Sequence, residues 1–242
     1  MKLSVDNYAL MSGAPIRHGE FIVYPPTLAD IRDVGYENYQ SYISLFLLSQ
    51  SDIFSLIGVP EAEQTLQSFS PIQLITIIPD LRATLLRSLR FFLHQEVCYT
   101  DALGFFLDLN SRVYLSLNQI LDLRAVILKL CCIEDKTIQE TVSFQSERAR
   151  KTYEKIQKHK SKKKQNSRVN DADMELSNLV GAVAAYSPTY NLLNIWGLTV
   201  FQFYDQFERL SGKIQLDVIG QKWAAWGTED FDFSVWFKSH KS

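Results

Sequence analysis

The sequence predicts a mainly α protein of α+β type, helical with small β-hairpins, in which a basic helix and linker join two parts. Three observations carry that expectation. Apolar residues recur at steps of three and four along several segments, the signature of helices with one buried face. Thr followed three residues later by Asp or Gln opens two of those segments, a pattern that marks helix N-termini. Finally, Arg148–Arg168 holds 10 of the chain's 25 Lys and Arg residues and one acid, Glu154. Its formal charge is +9 in a chain of net charge −2, so it divides two apolar, acidic stretches.

The first element is a short hairpin. Pro15-Ile16 and Phe21–Tyr24 flank the polar run Arg17-His18-Gly19-Glu20, and Pro25-Pro26 ends it. Thr27 then caps a helix with Asp30 in the capping-box position. Leu28, Ile31, Gly35, Tyr39, Tyr42, Phe46 and Ser49 line one face, which predicts a single helix of about six turns. Gly58-Val59-Pro60 breaks the pattern, a short helix is expected at 61–69, and Ser70-Pro71 opens another with Pro in the first turn. Pro79-Asp80 restarts the chain. From Leu81 to Gln95 the stripe Leu85, Leu86, Leu89, Phe92 and Leu93 predicts a helix with Arg82, Arg87 and Arg90 off the stripe.

Residues 104–116 change to a strand pattern, with Phe106–Leu109 facing Arg112–Leu115 across Asn110-Ser111. Ser116 or Asn118 caps the next helix, whose stripe is Ile120, Leu123, Ile127, Leu130 and Cys131. A polar helix over Gln139–His159 and a disordered stretch over Lys160–Asn170 are expected next. Leu176, Leu179, Val180 and Val183 form a further stripe ending near Ser187-Pro188. A short helix at 189–196 should stop at Gly197. Thr199 and Gln202 cap a last helix carrying Val200, Phe203, Phe207 and Leu210. Trp223, Trp226, Phe231, Phe233, Trp236 and Phe237 make the end aromatic, suited to docking on the protein's own core or on a partner. The expected organisation is an N-terminal α+β domain at 1–145, a basic helix and linker at 146–170, and a C-terminal helical region at 171–242.

Composition and motifs limit the function classes. No apolar run reaches the roughly 18 residues of a membrane span, and the first 20 residues lack a signal-peptide pattern, so a cytoplasmic protein is expected. Cys98, Cys131 and Cys132 read as unpaired thiols. His18, His94, His159 and His240 are scattered, and His94-Gln95-Glu96 lacks the second His of the zinc-protease helix. No phosphate-binding loop, dinucleotide fingerprint or nucleophile elbow occurs. No cofactor, metal or catalytic residue is therefore assigned, and a non-enzymatic protein is expected. The basic arm comprises Arg148, Arg150, Lys151, Lys155, Lys158, Lys160, Lys162, Lys163, Lys164 and Arg168. It could neutralise several phosphates, but its one aromatic, Tyr153, gives little for bases to stack on. Nucleic acid is thus the weaker reading, beside an acidic protein partner or simple solubilisation.

Four blocks carry a family resemblance: FIVYPPTLADIRDVGYENYQSYISLF at 21–46, RVYLSLNQILDLRAVILKLCCI at 112–133, MELSNLVGAVAAYSPTYNLLNIWGLTVFQFYDQFERL at 174–210, and DFDFSVWFKS at 230–239. Their order resembles that of tail assembly chaperones of phages that infect Gram-positive bacteria. The resemblance implies a non-enzymatic helper in the host cytoplasm. Such a helper binds the long helical tape-measure protein, or another tail protein, and keeps it from aggregating until the tail tube assembles. Self-association is compatible with that role. A hydrophobic groove with adaptable contacts is the expected tool, and Trp196, Val200, Phe203, Tyr204 and Phe207 are the candidate partner-binding residues. The alternatives are a structural tail or baseplate component of the virion and a nucleic-acid-binding accessory protein acting through the basic arm.

Overall fold

The computed structural model describes residues 6–58, 66–107, 113–133 and 175–227. It is mainly helical, with two small antiparallel sheets. A one-and-a-half-turn helix α1 (Asn7–Ser12) precedes the hairpin β1 (Ile16–His18) and β2 (Phe21–Val23), which pair with Ile16 opposite Val23 around the turn Gly19-Glu20. Phe21 and Val23 point inward and are buried, while Ile22 between them is only partly so. That is the alternation of a two-faced ribbon.

The expected six-turn helix is instead two. Helix α2 (Leu28–Val34) ends at Gly35, and α3 (Tyr36–Leu47) begins immediately after it. Gly35 has φ 88° and ψ 136°, a conformation essentially restricted to glycine. Its N–H closes α2 on the Ile31 carbonyl at 2.9 Å, and its own carbonyl accepts from the Tyr39 N–H at 3.0 Å to start α3. A Cβ there would meet only Asn38 Nδ2 at 3.7 Å. The residue therefore serves a bend and not a close approach. Ser49, expected at the end of the stripe, caps α4 (Gln50–Ile57) with Asp52.

After α4 come α5 (Pro71–Ile77) and α6 (Pro79–Leu93), each with Pro in its first turn. The short helix expected at 61–69 lies largely outside the described residues. Two of the three arginines off the α6 stripe have structural work. Arg90 Nε donates to the Val97 carbonyl at 2.9 Å, and Arg82 lies over the Tyr99 ring at 4.3 Å. Both reach a strand that the sequence reading omits, β3 (Val97–Thr100). It pairs with β4 (Gly104–Leu107), which pairs with β5 (Val113–Leu115), so the expected hairpin is two-thirds of a three-stranded meander. Phe105 faces Leu115 and Leu107 faces Val113; the turn between them lies outside the described residues. Ser116 is the cap of α7 (Leu117–Leu130). Every residue of its expected stripe is buried, and Arg124 Nε donates to the Phe46 carbonyl at 2.6 Å, fixing α7 to the end of α3.

The chain returns as α8 (Leu176–Tyr186), whose four stripe residues are all buried. No helix spans 189–196; only Ile195–Gly197 forms a 3₁₀ turn. Ser187 Oγ accepts from the N–H of Tyr190, and the Asn194 side chain accepts from the N–H of Asn191. Short polar side chains here bond the local backbone and compete with helix. Thr199 and Gln202 form the expected capping box, but α9 (Val200–Trp226) runs 27 residues, well beyond Leu210.

One apolar core contains residues from both parts of the chain. Leu176, Leu179, Val183, Val200 and Phe203 belong to the same buried cluster as Leu28, Phe46, Leu89 and Ile127. The two are stitched at a single antiparallel bridge between Thr27 and Thr199. The Leu28 N–H donates to the Leu198 carbonyl and the Val200 N–H to the Pro26 carbonyl, each at 2.9 Å. The caps of α2 and α9 thus lie side by side.

Candidate functional site

Beside that junction lies a cleft of about 490 Å³. Helix α3 supplies Tyr36, Tyr39, Gln40, Ile43 and Ser44 to its wall, and the end of α7 supplies Cys131 and Cys132. Leu176 of α8 and Val200, Tyr204 and Glu208 of α9 close it. The chain leaves the described residues after Ile133 and re-enters at Glu175, and Ile133 and Leu176 both line this cleft. The described residues on either side of the basic arm therefore meet at one cleft. The parts before and after the arm share one core. All ten arm cations lie outside the described residues.

The chemistry of the cleft is that of protonated hydroxyls and thiols. Burial pushes the Cys131 thiol up to about 12, although the Tyr39 hydroxyl beside it pulls the other way. Tyr39 is raised well above its ordinary value, chiefly by burial and then by Cys131. Tyr204 is raised by burial and then by its neighbour Tyr36. At neutral pH Cys131 is thus a thiol and not a nucleophilic thiolate, and the tyrosines are hydrogen-bond donors at the edge of apolar walls. Among the described residues no three His, Cys, Asp or Glu side chains gather in a way that could hold a metal ion. Of the scattered histidines, His94 caps α6 and its ring stacks on Tyr24 at 4.3 Å. No helix among the described residues is long and apolar enough to cross a membrane.

The five candidate partner-binding residues are divided by the structure. Val200 and Phe203 are buried in the core, Phe203 completely, and Val200 also lines the wall of the cleft. Trp196 is half-buried beneath the Arg32 guanidinium, 5.6 Å from the ring centre, with its indole N–H donated to the Leu192 carbonyl. Tyr204 and Phe207 pack on the core with part of each ring outside it.

Beyond Phe207 the sequence reading named Leu210, Trp223 and Trp226 but missed the apolar residues between them. The stripe that begins at Phe203 continues through Phe207, Leu210, Ile214 and Val218 at steps of four, three, four and four. Exposure climbs along it from 0% at Phe203 to 42% at Ile214 and 61% at Val218. A second line, Leu216, Ile219, Trp223 and Trp226, occupies another face, with Ile219 56% and Trp226 69% exposed. The distal half of α9, about 20 Å of helix, thus carries large apolar side chains into solvent. The signal was present in the sequence as the continued three-and-four spacing past Leu210. The aromatic residues Phe231, Phe233, Trp236 and Phe237 lie outside the described residues.

Comparison with known proteins bears on this region. The chain has no significant match among curated proteins or solved structures. Residues 161–241 match the family described as the YomV second domain. The match takes in part of the basic arm, all of α8 and α9, and the aromatic segment after them. Over this third of its length the chain is similar to a protein family related to Bacillus prophages.

Proposed function

We propose that the protein is a non-enzymatic phage tail assembly chaperone, acting in the host cytoplasm by binding the tape-measure protein and holding it apart from itself until the tail tube encloses it. The observation that carries the reading is the emergence of the α9 stripe from the core. Isolated apolar residues on a surface mean little, but a contiguous apolar patch marks a binding face. Tyr204 and Phe207 begin that face beside the cleft, and Ile214 and Val218 extend it. A helical stripe of this kind suits a partner with an apolar helical stripe of its own, which is what a tape measure presents before its tube forms. The prophage-related match over α8 and α9 and the block resemblance support the same direction.

Co-expression with the tape-measure protein tests the reading. The expected result is a soluble complex that co-purifies. Ile214→Asp and Val218→Asp should abolish co-purification while leaving the helical circular dichroism and Tm of the isolated protein unchanged, since both side chains are exposed. No gain in tape-measure solubility would count against the proposal. Abundant protein in purified virions, seen by mass spectrometry, would replace it with a structural tail or baseplate role.

A further inference from the structure

We propose that two copies of this chain pair through the distal half of α9, with the helices antiparallel about a two-fold axis at Gln215. A two-fold pair brings the same patch of both copies together, so the patch must complement itself. The charges of α9 do so. Asp205 and Arg209 pair within the chain at 2.7 Å, which leaves Glu208, Lys213, Asp217 and Lys222 as the other charged residues of the helix. Lys213 and Asp217 stand equally far on either side of Gln215, and so do Glu208 and Lys222. The axis therefore sets Lys213 level with Asp217 of the second copy, and Glu208 level with Lys222 of the second copy. Symmetry makes each pair twice. Sliding the helices by four residues in one direction would instead set Lys213 against Lys213, and in the other direction Asp217 against Asp217.

The faces agree with the levels. At about 100° per residue, Lys213 and Asp217 flank the Phe207–Ile214–Val218 stripe on one side, and Glu208 and Lys222 flank it on the other. In an antiparallel two-fold pair each flank meets its own counterpart, so both ion pairs fall where the side chains can reach. Between them the exposed stripes meet. Ile214 lies near its own copy across the axis, and Val218 comes level with the small residues Ser211 and Gly212. The cleft makes room for the end of the second helix. Val200, Tyr204 and Glu208 form its α9 wall, on the Glu208–Lys222 flank. Trp226 of the second copy, exposed in the single chain, comes level with Tyr204 there. One helix pair makes an interface below the standard size, so a dissociation constant on the order of ten micromolar is expected. At lower concentration the chain is single, with Ile214 and Val218 open.

Ile214 and Val218 serve both this pairing and the proposed capture of a tape measure. The dimer does not rest on that reading, because it needs this chain alone, and failure of either leaves the other standing. Sedimentation equilibrium of the full chain from about 1 to about 200 μM tests the dimer. A monomer–dimer equilibrium is expected, and Ile214→Asp should abolish it. Lys213→Glu sets a glutamate against Asp217, and Asp217→Lys sets a lysine against Lys213, so each alone should weaken the dimer at least about threefold. An equimolar mixture of these two variants should dimerise more tightly than either alone. The introduced glutamate of one chain then faces the introduced lysine of the other, a rescue that pairing within one helix cannot give. Both positions are exposed, and circular dichroism checks that α9 is intact in each variant. A monomer across the whole range, a dimer indifferent to these substitutions, or a mixture no tighter than its components would overturn the pairing.

Discussion

At the scale of single residues, two positions hold the molecule's clearest dependencies. Gly35 adopts φ 88° and ψ 136° to turn α2 into α3. Gly35→Ala is expected to cost about 1–3 kcal/mol through backbone strain alone, since the site has room for the methyl group; urea unfolding measures it. The residue was visible in the sequence as a glycine on an apolar face, but nothing there distinguishes a tolerated glycine from a hinge, because the distinction lies in φ and ψ. Cys131 is the second. The unfolded chain releases its proton near 9, whereas the folded protein retains it to about 12. The contribution of the protonated thiol is therefore full below pH 9 and is lost as pH climbs towards 12. Tyr39 and Tyr204, also raised, add to the same alkaline fall. Each such group contributes a slope of about 1.4 kcal/mol per pH unit within its window. Denaturation followed from pH 7 to 11 should show a flat stability to about pH 8.5 and a decline above it. Cys131→Ala should make that decline shallower; an unchanged slope would show that the thiol does not contribute.

At the scale of elements, capping chemistry was the most legible feature. Thr27 with Asp30 and Thr199 with Gln202 each form the box that their spacing predicts. The sequence does not reveal that these two caps form a bridge with each other, because they are 172 residues apart and pairing is a property of the fold. Thr27→Ala or Thr199→Ala alone should cost about 1 kcal/mol. Together they should depart from additivity by at least 0.5 kcal/mol, as contacting sites do, whereas Thr27→Ala with Ser116→Ala should add within about 0.3–0.5 kcal/mol. Strand β3 was missed for a different reason. Val97–Thr100 is four residues long and follows a strong helical stripe directly, and it is held as a strand by Arg90, Arg82 and pairing with β4. The candidate site was half legible. Spacing placed Phe207 on the α9 stripe, but the burial of Val200 and Phe203 depends on neighbours contributed by other helices. The cleft wall of Tyr36, Tyr39 and Cys131 comes from two helices joined by no sequence motif.

At the scale of the whole molecule, the parts of the chain before and after the basic arm contribute to one core. Ile133, before the arm, and Leu176, after it, line the same cleft, and the parts that contain them are joined by core packing and by the Thr27–Thr199 bridge. Cutting the chain within the arm should therefore leave two fragments that remain associated. A single trypsin nick between 148 and 168 is expected to give two bands on a denaturing gel and one peak in gel filtration, with little change in Tm. Separation into independent species would contradict the shared core.

The junction also has a consequence for how the protein is made. The Leu28 N–H finds its acceptor on Leu198, and Pro26 accepts from Val200. A ribosome adds about 5–20 residues each second. Roughly ten to thirty seconds therefore pass between the emergence of the first partner and that of the second. Throughout that interval the nascent chain carries the apolar faces of α2 and α3 without α8 and α9 to cover them. A protein proposed to shield another from premature contact would itself need shelter while it is being synthesised.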